Sequence, residues 1–497
     1  MSQLLCGKTY PPKLSPDETA SLSVALRDWA LSHGLVIRAH PTSVSTTTDA
    51  DILATHVPLT LFPSPFPKAL FEEARELQLE FQNLYARVAD DMDFLAAITE
   101  KLAGVDEFMH GLWKLHLEVS AETGGVPVQP LTLGVFRSDY LLHAPSPDEP
   151  ISLRQVELNT ISASFMGLSS RAADAHNFLR KAGHYPEVSD IPVTAETNPV
   201  NPASTGIARG LALAHKAYGV ANAVVLFVVQ PTERNAFDQR WLEYLLLQNH
   251  SIRVLRATLA DIAANAVLDR STHMLMFKGQ RVSVVYYRCG YTPDDYPTPD
   301  TWEARKTMEL SDAIKCPSIA THFAGAKKIQ QVLVEESILA KYCPDVELRA
   351  RIRATFADIL PLDDSPLGEK ARQLIRSCPE KYVLKPQREG GGNNVYREKI
   401  PEFLASLPDE SYWNGYILME LIEPPIDITN SIMRLGEIRQ GPVVSELGVY
   451  GCVLWDTTSS TVLENFEAGW LLRTKFTDSD EGGVAAGFGS IDSVLLV

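Results

Sequence analysis

The apolar positions of this chain change their period partway along its length. Near the start, Leu22, Leu26, Trp29 and Ala30 recur at spacings of three and four, which predicts an amphipathic helix. Its ends are marked as well. Ser15-Pro16-Asp17-Glu18 supplies an N-cap, a proline at the first helical position and a glutamate three residues after the cap, and Gly34 ends the run. From about Lys68 to Gly104 the same period returns through Phe71, Ala74, Leu77, Phe81, Leu84 and Tyr85, predicting one longer helical stretch. These stripes read as core packing.

Beyond a stretch rich in Pro, Asn and Ser, from Asn198 to Ala203, strands begin to alternate with helices. Ala214 to Tyr218 is helical in pattern, Ala223 to Gln230 is the continuous apolar run of a buried parallel strand, and Asp238 to Gln248 is helical again. Ser251 to Leu255, a helix near Thr258 to Ala264 and a hairpin turning at Lys278-Gly279 into Val282 to Tyr287 complete an α/β module. Further on, strand-like runs at Tyr382 to Lys385, Tyr416 to Ile422 and Val443 to Leu454 are parted by Gly-rich or Pro-rich segments, which predicts a mixed or antiparallel sheet.

Composition narrows the class. The 497 residues suffice for about three domains, or for one domain with large insertions. With 45% hydrophobic and 22% charged residues, the chain has the make-up of an ordinary soluble globular protein. A net charge of −17 argues against nonspecific binding to nucleic acid or an anionic membrane, since both require a dense basic surface. No run approaches the ~18 apolar residues of a membrane span, and Met1 to Lys13 lacks a basic flank followed by an apolar core, so a cytoplasmic protein is expected. The six cysteines (Cys6, Cys289, Cys316, Cys343, Cys378, Cys452) are scattered without metal spacing and read as free thiols in a reducing compartment.

Three constellations could carry chemistry. In Gln155-Val156-Glu157-Leu158-Asn159, a strand would project Glu157 and Asn159 from one face; the pair is either an exposed strand face or a pair of oxygen donors for a hard cation such as Mg²⁺. In Lys385-Pro386-Gln387-Arg388-Glu389-Gly390-Gly391-Gly392-Asn393-Asn394, contiguous glycines allow backbone N–H groups to approach phosphate oxygens without an intervening Cβ; a structural turn is the commoner explanation of a bare triplet, and the flanking Lys, Arg and Glu shift the reading towards nucleotide binding. The order is neither that of a Walker A loop nor that of a dinucleotide-binding fingerprint. In Arg473-Thr474-Lys475, the two basic residues share a face if extended, and the small-residue loop Glu481-Gly482-Gly483-Val484-Ala485-Ala486-Gly487 follows. Arg137, within Leu133 to Tyr140, and Lys327-Lys328 read in isolation as solvated surface charge. A phosphate-cradling loop, several cations and metal-binding carboxylates, with no nucleophilic cysteine or Ser-His-Asp pattern, are what ATP-dependent phosphoryl transfer requires.

At these residues the chain closely resembles the eukaryotic glutathione synthetases, which are ATP-grasp ligases. The matching segments are QVELNTISASFMGLSSR from Gln155, ERNAFDQR from Glu233, WEAR from Trp302, KPQREGGGNN from Lys385, SELG from Ser445, LLRTK from Leu471 and GGVAAG from Gly482. The resemblance implies an α/β (α+β) ATP-grasp fold. Residues 1–213 would form the N-terminal part of its main domain, 214–325 an inserted α/β substrate-binding domain, and 326–497 the C-terminal part, including a mobile lid at about 355–426. It implies metal ligation by Glu157, Asn159 and Glu389. Nucleotide-binding positions would be Glu157, Lys327, Lys385, Pro386, Gln387, Arg388, Glu389, Gly390, Gly391, Gly392, Asn393, Asn394, Tyr396, Met419, Glu420, Leu421, Ile422, Glu446, Lys475 and Glu481. Peptide-binding positions would be Arg137, Ile161, Ser162, Ala163, Ser164, Glu233, Arg234, Asn235, Gln239, Arg288, Cys289, Gly290, Tyr291, Arg473, Val484 and Ala485. Cys289 and Glu481 stand where the family pattern has Asp, and Leu421 where it has Lys.

The activity implied is ligation of γ-glutamylcysteine to glycine with ATP and Mg²⁺ by a cytosolic homodimer. The cysteinyl carboxylate would be phosphorylated and the glycine amine would attack the acyl phosphate, with Arg137, Lys327, Lys385, Glu389 and Arg473 as the catalytic set. Closure of the Gly390 to Gly392 loop would exclude water. Two alternatives remain: a homologue that uses β-alanine to give homoglutathione, and a nucleotide-binding regulator without catalysis. Val484-Ala485 favours glycine over β-alanine, and the joint presence of Arg137, Glu157, Asn159, Lys385, Glu389 and Arg473 disfavours the regulator.

Overall fold

Long strands from distant parts of the sequence pair to form the centre of the molecule. Leu131–His143 lies between Ser152–Asn159 on one side and Glu437–Asp456 on the other, both antiparallel to it, and Glu437–Asp456 pairs in turn with Thr461–Phe476. The structure is a computed structural model and describes residues 4–5, 7–39, 52–146, 148–186, 190–389, 392–480, 482–484 and 487–497. Among these residues the central sheet has 13 strands. Its other half is mostly parallel: Ile314–Cys316 joins Leu131–His143 at Lys315↔Thr132, and Gln280–Tyr287, Val224–Val228 and Val254–Ala257 follow in parallel register, while the short strands Leu275–Phe277 and then Ala266–Leu268 add on beyond Gln280–Tyr287, each antiparallel to the one before. The α/β module therefore continues the central sheet. The helix that leads into it, Ala203–Tyr218, starts earlier than its apolar pattern predicts and runs across position 213.

Helices cover both faces. Lys68–Asp90 buries Phe71, Ala74, Leu77, Phe81, Leu84 and Val88 on one side, where Gly451 lets Gln78 and Gln82 come close to the strand. The adjacent residue, Cys452, points the opposite way, into the space left by Gly210 of Ala203–Tyr218. The alternation of side chains along one strand thus assigns one helix to each face. The capping box at Ser15 starts the helix Pro16–Ser32 as predicted. The single helical stretch expected from Lys68 to Gly104 is two helices, Lys68–Asp90 and Met92–Ala103. Asp91 divides them: its carboxylate caps Phe94 N–H at 3.1 Å and accepts the Tyr342 hydroxyl at 2.9 Å.

The strand-like runs of the C-terminal third divide between two sheets. Tyr382–Pro386 and Tyr416–Glu420 belong with Ile359–Pro361 and Val395–Tyr396 to a separate four-stranded antiparallel sheet. Pro366–Ser377 and Lys399–Ala405 pack on it around their own apolar cluster of Leu360, Leu384, Ile400, Leu404 and Leu418. The third run lies within Glu437–Asp456 in the central sheet. Where the chain passes into the small sheet, Gln155 N–H donates to Thr355 O at 2.6 Å. Where it returns, Ala144 N–H donates to Glu423 O at 2.7 Å and Glu423 N–H to His143 Nδ1 at 3.1 Å.

Candidate active site

Strand register alone brings the charged residues together. Asn159 pairs with Arg137 and Glu157 with Asp139; Asp139 pairs with Gly448, and Glu446 pairs with Arg473. Residues paired across a sheet share a face, so side chains from four strands converge on one patch. Asp139 is its hub and is fully buried. It accepts Arg137 Nε at 2.6 Å and Nη2 at 2.7 Å, Arg473 Nη2 at 3.2 Å and Asn159 Nδ2 at 3.1 Å. Burial pushes the Asp139 carboxyl upward, against the pull of the two guanidiniums. Arg473 also pairs with Glu446. Space for this cluster depends on Gly448, where a Cβ would lie 2.6 Å from Asp139 Oδ1 and 2.8 Å from Arg137 Cδ.

Next to it lies a second set of charges. Lys327, at the start of the helix Lys327–Leu333, holds Glu157 at 2.8 Å and both oxygens of Glu389 at 3.3 Å. Lys385, on the small sheet, donates to Val156 O at 3.0 Å. Burial by itself would raise the Glu157 carboxyl, but Lys327, Lys385 and Arg137 outweigh it and hold it well below the ordinary carboxylate range. Glu389 has the opposite outcome: burial pushes it up to about 7, Lys327 pulls the other way, and the Glu157 charge adds to the rise. Burial lowers the Lys385 ammonium to about 8, while Glu157 opposes the drop. Arg137 and Lys327 are both buried, which corrects the surface-charge reading that each invites in isolation.

The segment Ile161, Ser162, Ala163, Ser164 runs beside the hub. Ser162 and the following Phe165 have φ values of 52° and 74°, in the left-handed region that non-glycine residues rarely adopt. Asp238 holds this conformation by accepting Phe165 N–H at 2.7 Å, Gly167 N–H at 2.7 Å and Leu168 N–H at 3.2 Å. Arg288 donates to Ala163 O, and to Ser164 Oγ at 2.7 Å. Arg137 Nη1 reaches Ser164 O at 3.3 Å. Glu233 accepts Asn235 N–H at 2.7 Å and Gln239 Nε2 at 2.9 Å, and Arg234 faces Arg38 O at 3.3 Å. Gly290 and Tyr291 N–H groups donate to Asp295 at 2.8 and 3.1 Å, beside a buried Cys289 whose thiol burial pushes up.

On the small sheet, Met419 pairs with Val383, and Glu420 with Tyr382. Met419 packs with Tyr396, Leu421 and Ile422 in an apolar patch. Leu421 N–H donates to Lys381 O at 2.8 Å and Asn394 Nδ2 to Tyr396 OH at 3.3 Å. Pro386 O accepts Arg388 N–H at 2.9 Å, Gly392 adopts a φ of 91°, and Asn393 follows it before Val395–Tyr396. Arg388 points away from the charge cluster, to Asp106. Lys475 Nζ reaches Asp480 O at 2.6 Å, and Val484 is buried. Gly390, Gly391, Glu481 and Ala485 lie outside the described residues.

Sequence reasoning did not assign Asp139 or Asp238. Arg137-x-Asp139 carried a signal, since alternate residues of a strand share a face, whereas Asp238 acts on a segment about 70 positions earlier and left no local trace. The donors suit Mg²⁺. No group of three or more His, Cys, Asp or Glu side chains arranged for a metal occurs among the described residues, but Mg²⁺ takes one or two carboxylates together with waters and phosphates. Glu157 and Glu389 converge on one ammonium, so two carboxylates reach one point, and Asn159 lies beside them with its Nδ2 donating to Glu157 Oε1 at 3.3 Å, so that its oxygen would have to turn inward to join them.

The geometry has counterparts in known proteins. A family model described as the eukaryotic glutathione synthase ATP-binding domain matches residues 16–496. The glutathione synthetase large chain of Schizosaccharomyces pombe is 40% identical over 506 residues, covering 97% of this chain and 99% of that one. The glutathione synthetase of Homo sapiens is 39% identical over 493 residues, covering 98% of each. Among solved structures, a glutathione synthetase-like effector from Globodera pallida in its apo form shares the fold, with a TM-score of 0.75, 23% identity and 98% of each chain covered.

Proposed function

The chain belongs to the eukaryotic glutathione synthase family, and on that premise we propose that it joins γ-glutamylcysteine to glycine using ATP, through an acyl phosphate. The observation that carries this reading is the adjacency of two buried charge clusters that each bring two cations to one point, Arg137 with Arg473 around Asp139, and Lys327 with Lys385 around Glu157. One suits carboxylates and the other a triphosphate. A carboxylate is a poor electrophile, so its oxygen first attacks the γ-phosphorus and the bond from that phosphorus to ADP breaks. The amine of glycine then attacks the acyl carbon, loses a proton, and the C–O bond to phosphate breaks. Charge builds on phosphoryl oxygens in the first step and on the acyl oxygen in the second. Fixed ammonium and guanidinium groups stabilise both without reorganising. With its lowered value of about 8, Lys385 remains mostly charged at neutral pH.

Glu157, Asn159 and Glu389 are the proposed holders of Mg²⁺, which when bound neutralises phosphate oxygens. Arg137, Arg288 and the segment Ile161 to Ser164 are proposed to receive the peptide, and the patch around Met419 and Ile422 the adenine ring. Residues 214–325 would serve as the substrate-binding part and 355–426 as the lid. A homodimer in the cytoplasm is the proposed working form; free thiols at Cys289, Cys316, Cys343, Cys378 and Cys452 support the compartment. The deciding experiment measures ADP release and identifies the product by mass spectrometry with ATP, Mg²⁺, γ-glutamylcysteine and either glycine or β-alanine. Glutathione formed only when all components are present supports the proposal, and its absence at saturating substrates overturns it.

A further inference from the structure

Three consecutive residues at the exit of the strand Tyr382–Pro386 grip the body of the molecule in two directions. Gln387 accepts Lys328 N–H at 3.0 Å, and Glu389 pairs with Lys327 at 3.3 Å, so both reach the first residues of the helix Lys327–Leu333. Arg388, between them, points the other way, as alternate residues of an extended segment must. Its guanidinium pairs with Asp106 and lies 5.8 Å from the centre of the Phe108 ring. Both groups are largely buried, with 23% and 10% of the side chains exposed.

Asp106 does two jobs with two oxygens. Oδ1 caps the helix Glu107–Thr123 by accepting Met109 N–H at 2.9 Å, and Oδ2 takes Arg388. Nη1 of Arg388 additionally donates to Gln387 O at 2.9 Å, which ties the fork back to its own backbone. A side chain committed in this way is not available to phosphates on the opposite side of the segment.

We propose that Arg388 is a positioning residue: its ion pair with Asp106 is a catch that holds the Gln387–Glu389 segment against the body, so that Glu389 stays in register with Lys327 and Glu157 while the acyl phosphate exists. The proposal rests on the ligase reading for its catalytic consequence. Among the described residues, the segment without the catch retains the Gln387 and Glu389 grips on the helix Lys327–Leu333, and the bond from Gln387 Nε2 to Gly415 O at 3.3 Å ties it only to the residue before the strand Tyr416–Glu420 of its own small sheet. Glu389 is then displaced and water gains access to the acyl phosphate, so ADP is formed without peptide.

The capping role makes a clean test available. Asp106→Asn keeps a side-chain oxygen for Met109 N–H, and Asn is as good an N-cap as Asp, but it removes the charge that Arg388 needs. The full-length variants Asp106→Asn, Arg388→Gln and the double are compared with wild type. Each single is expected to raise the ratio of ADP released to glutathione formed by roughly two-fold or more and to lower kcat/KM by roughly 10- to 100-fold. The double should be no worse than the poorer single, because both lose one contact. Limited trypsin cleavage after Arg397 and Lys399 in the presence of Mg²⁺ and a non-hydrolysable ATP analogue reads the catch independently of turnover. It should accelerate in all three variants. Additive losses in the double, or an unchanged ADP-to-glutathione ratio with unchanged cleavage rates, would overturn the catch. A wild type that makes no glutathione would strike the ligase reading instead, and the cleavage rates would still decide on the catch.

Discussion

Replacing Asp139 by Asn tests whether the hub organises the site. The two side chains have nearly the same volume, so no cavity forms, and the change is one of charge and donor count. The carboxylate now receives four N–H groups, two from Arg137 and one each from Arg473 and Asn159. An amide offers one oxygen and two donors, so in either orientation its nitrogen faces a donor. The charges of Arg137, Asp139, Arg473 and Glu446 sum to zero, and the substitution leaves an excess of one positive charge in a buried patch. Removing one partner of such a pair costs about 3–5 kcal/mol. The lower end is expected here, because burial already opposes the ionised form of Asp139 and Arg473 retains Glu446. Arg137 also loses the fork that fixes its direction, and a displacement of about 1 Å can cost roughly 100-fold in rate. Urea and thermal unfolding midpoints read the first effect; steady-state glutathione formation at pH 7 reads the second. An Asn variant with unchanged midpoints and turnover within about two-fold of wild type would refute the claim that the hub holds the two arginines.

Glu389→Ala is expected to lower turnover by roughly 10²–10³-fold while the melting temperature changes little, since Lys327 keeps Glu157 at 2.8 Å and a crowded negative charge is removed; a large drop in melting temperature with near-normal turnover would reverse the assignment. His322 is buried, and burial together with the charge of Arg305 lowers it to about 3, so the folded protein refuses a proton that the unfolded chain takes up below about 6.5. Stability from this residue is present above pH 6.5 and lost as pH falls, by about 2 kcal/mol at pH 5; His322→Asn should therefore reduce the difference between unfolding midpoints measured at pH 7 and pH 5. If the loop bearing Val484 approaches the amine closely, glycine should be preferred to β-alanine by roughly 10- to 200-fold in kcat/KM, and equal efficiency would show that specificity is set elsewhere.

Features that depend on near neighbours along the chain are legible in the sequence. Ser15 and Glu18 lie three residues apart and bond to each other, so the start of the first helix is visible there. The alternation in Glu157-x-Asn159 is likewise local, and the two side chains do meet. The break at Asp91 is hidden because both helices bury apolar residues, so the stripe hardly changes across it. Lys327 resembles half of a surface pair of lysines; it is buried because carboxylates from two other segments, Glu157 and Glu389, converge on it. The division of the C-terminal strands between two sheets depends on which strands pair, and a run of apolar residues does not encode its neighbour. Gly448 illustrates the same limit, since its need for no side chain comes from Arg137 and Asp139, more than 300 positions earlier.

The two crossings of the chain into and out of the small sheet are bonded to strands that carry the site. Gln155, which holds Thr355, is two residues from Glu157, and His143 and Ala144, which hold Glu423, continue the strand of Arg137 and Asp139. The orientation of the small sheet and the placement of the charges beneath it therefore share a backbone, and their free energies must be reciprocal. Whatever factor nucleotide binding contributes to fixing the orientation, fixing the orientation returns to nucleotide affinity. Substitutions at His143, or at Arg154, whose guanidinium donates to Ala354 O at the first crossing, would thus be felt as altered affinity, and variants selected for tighter ATP binding should accumulate at these crossings as well as in the site itself.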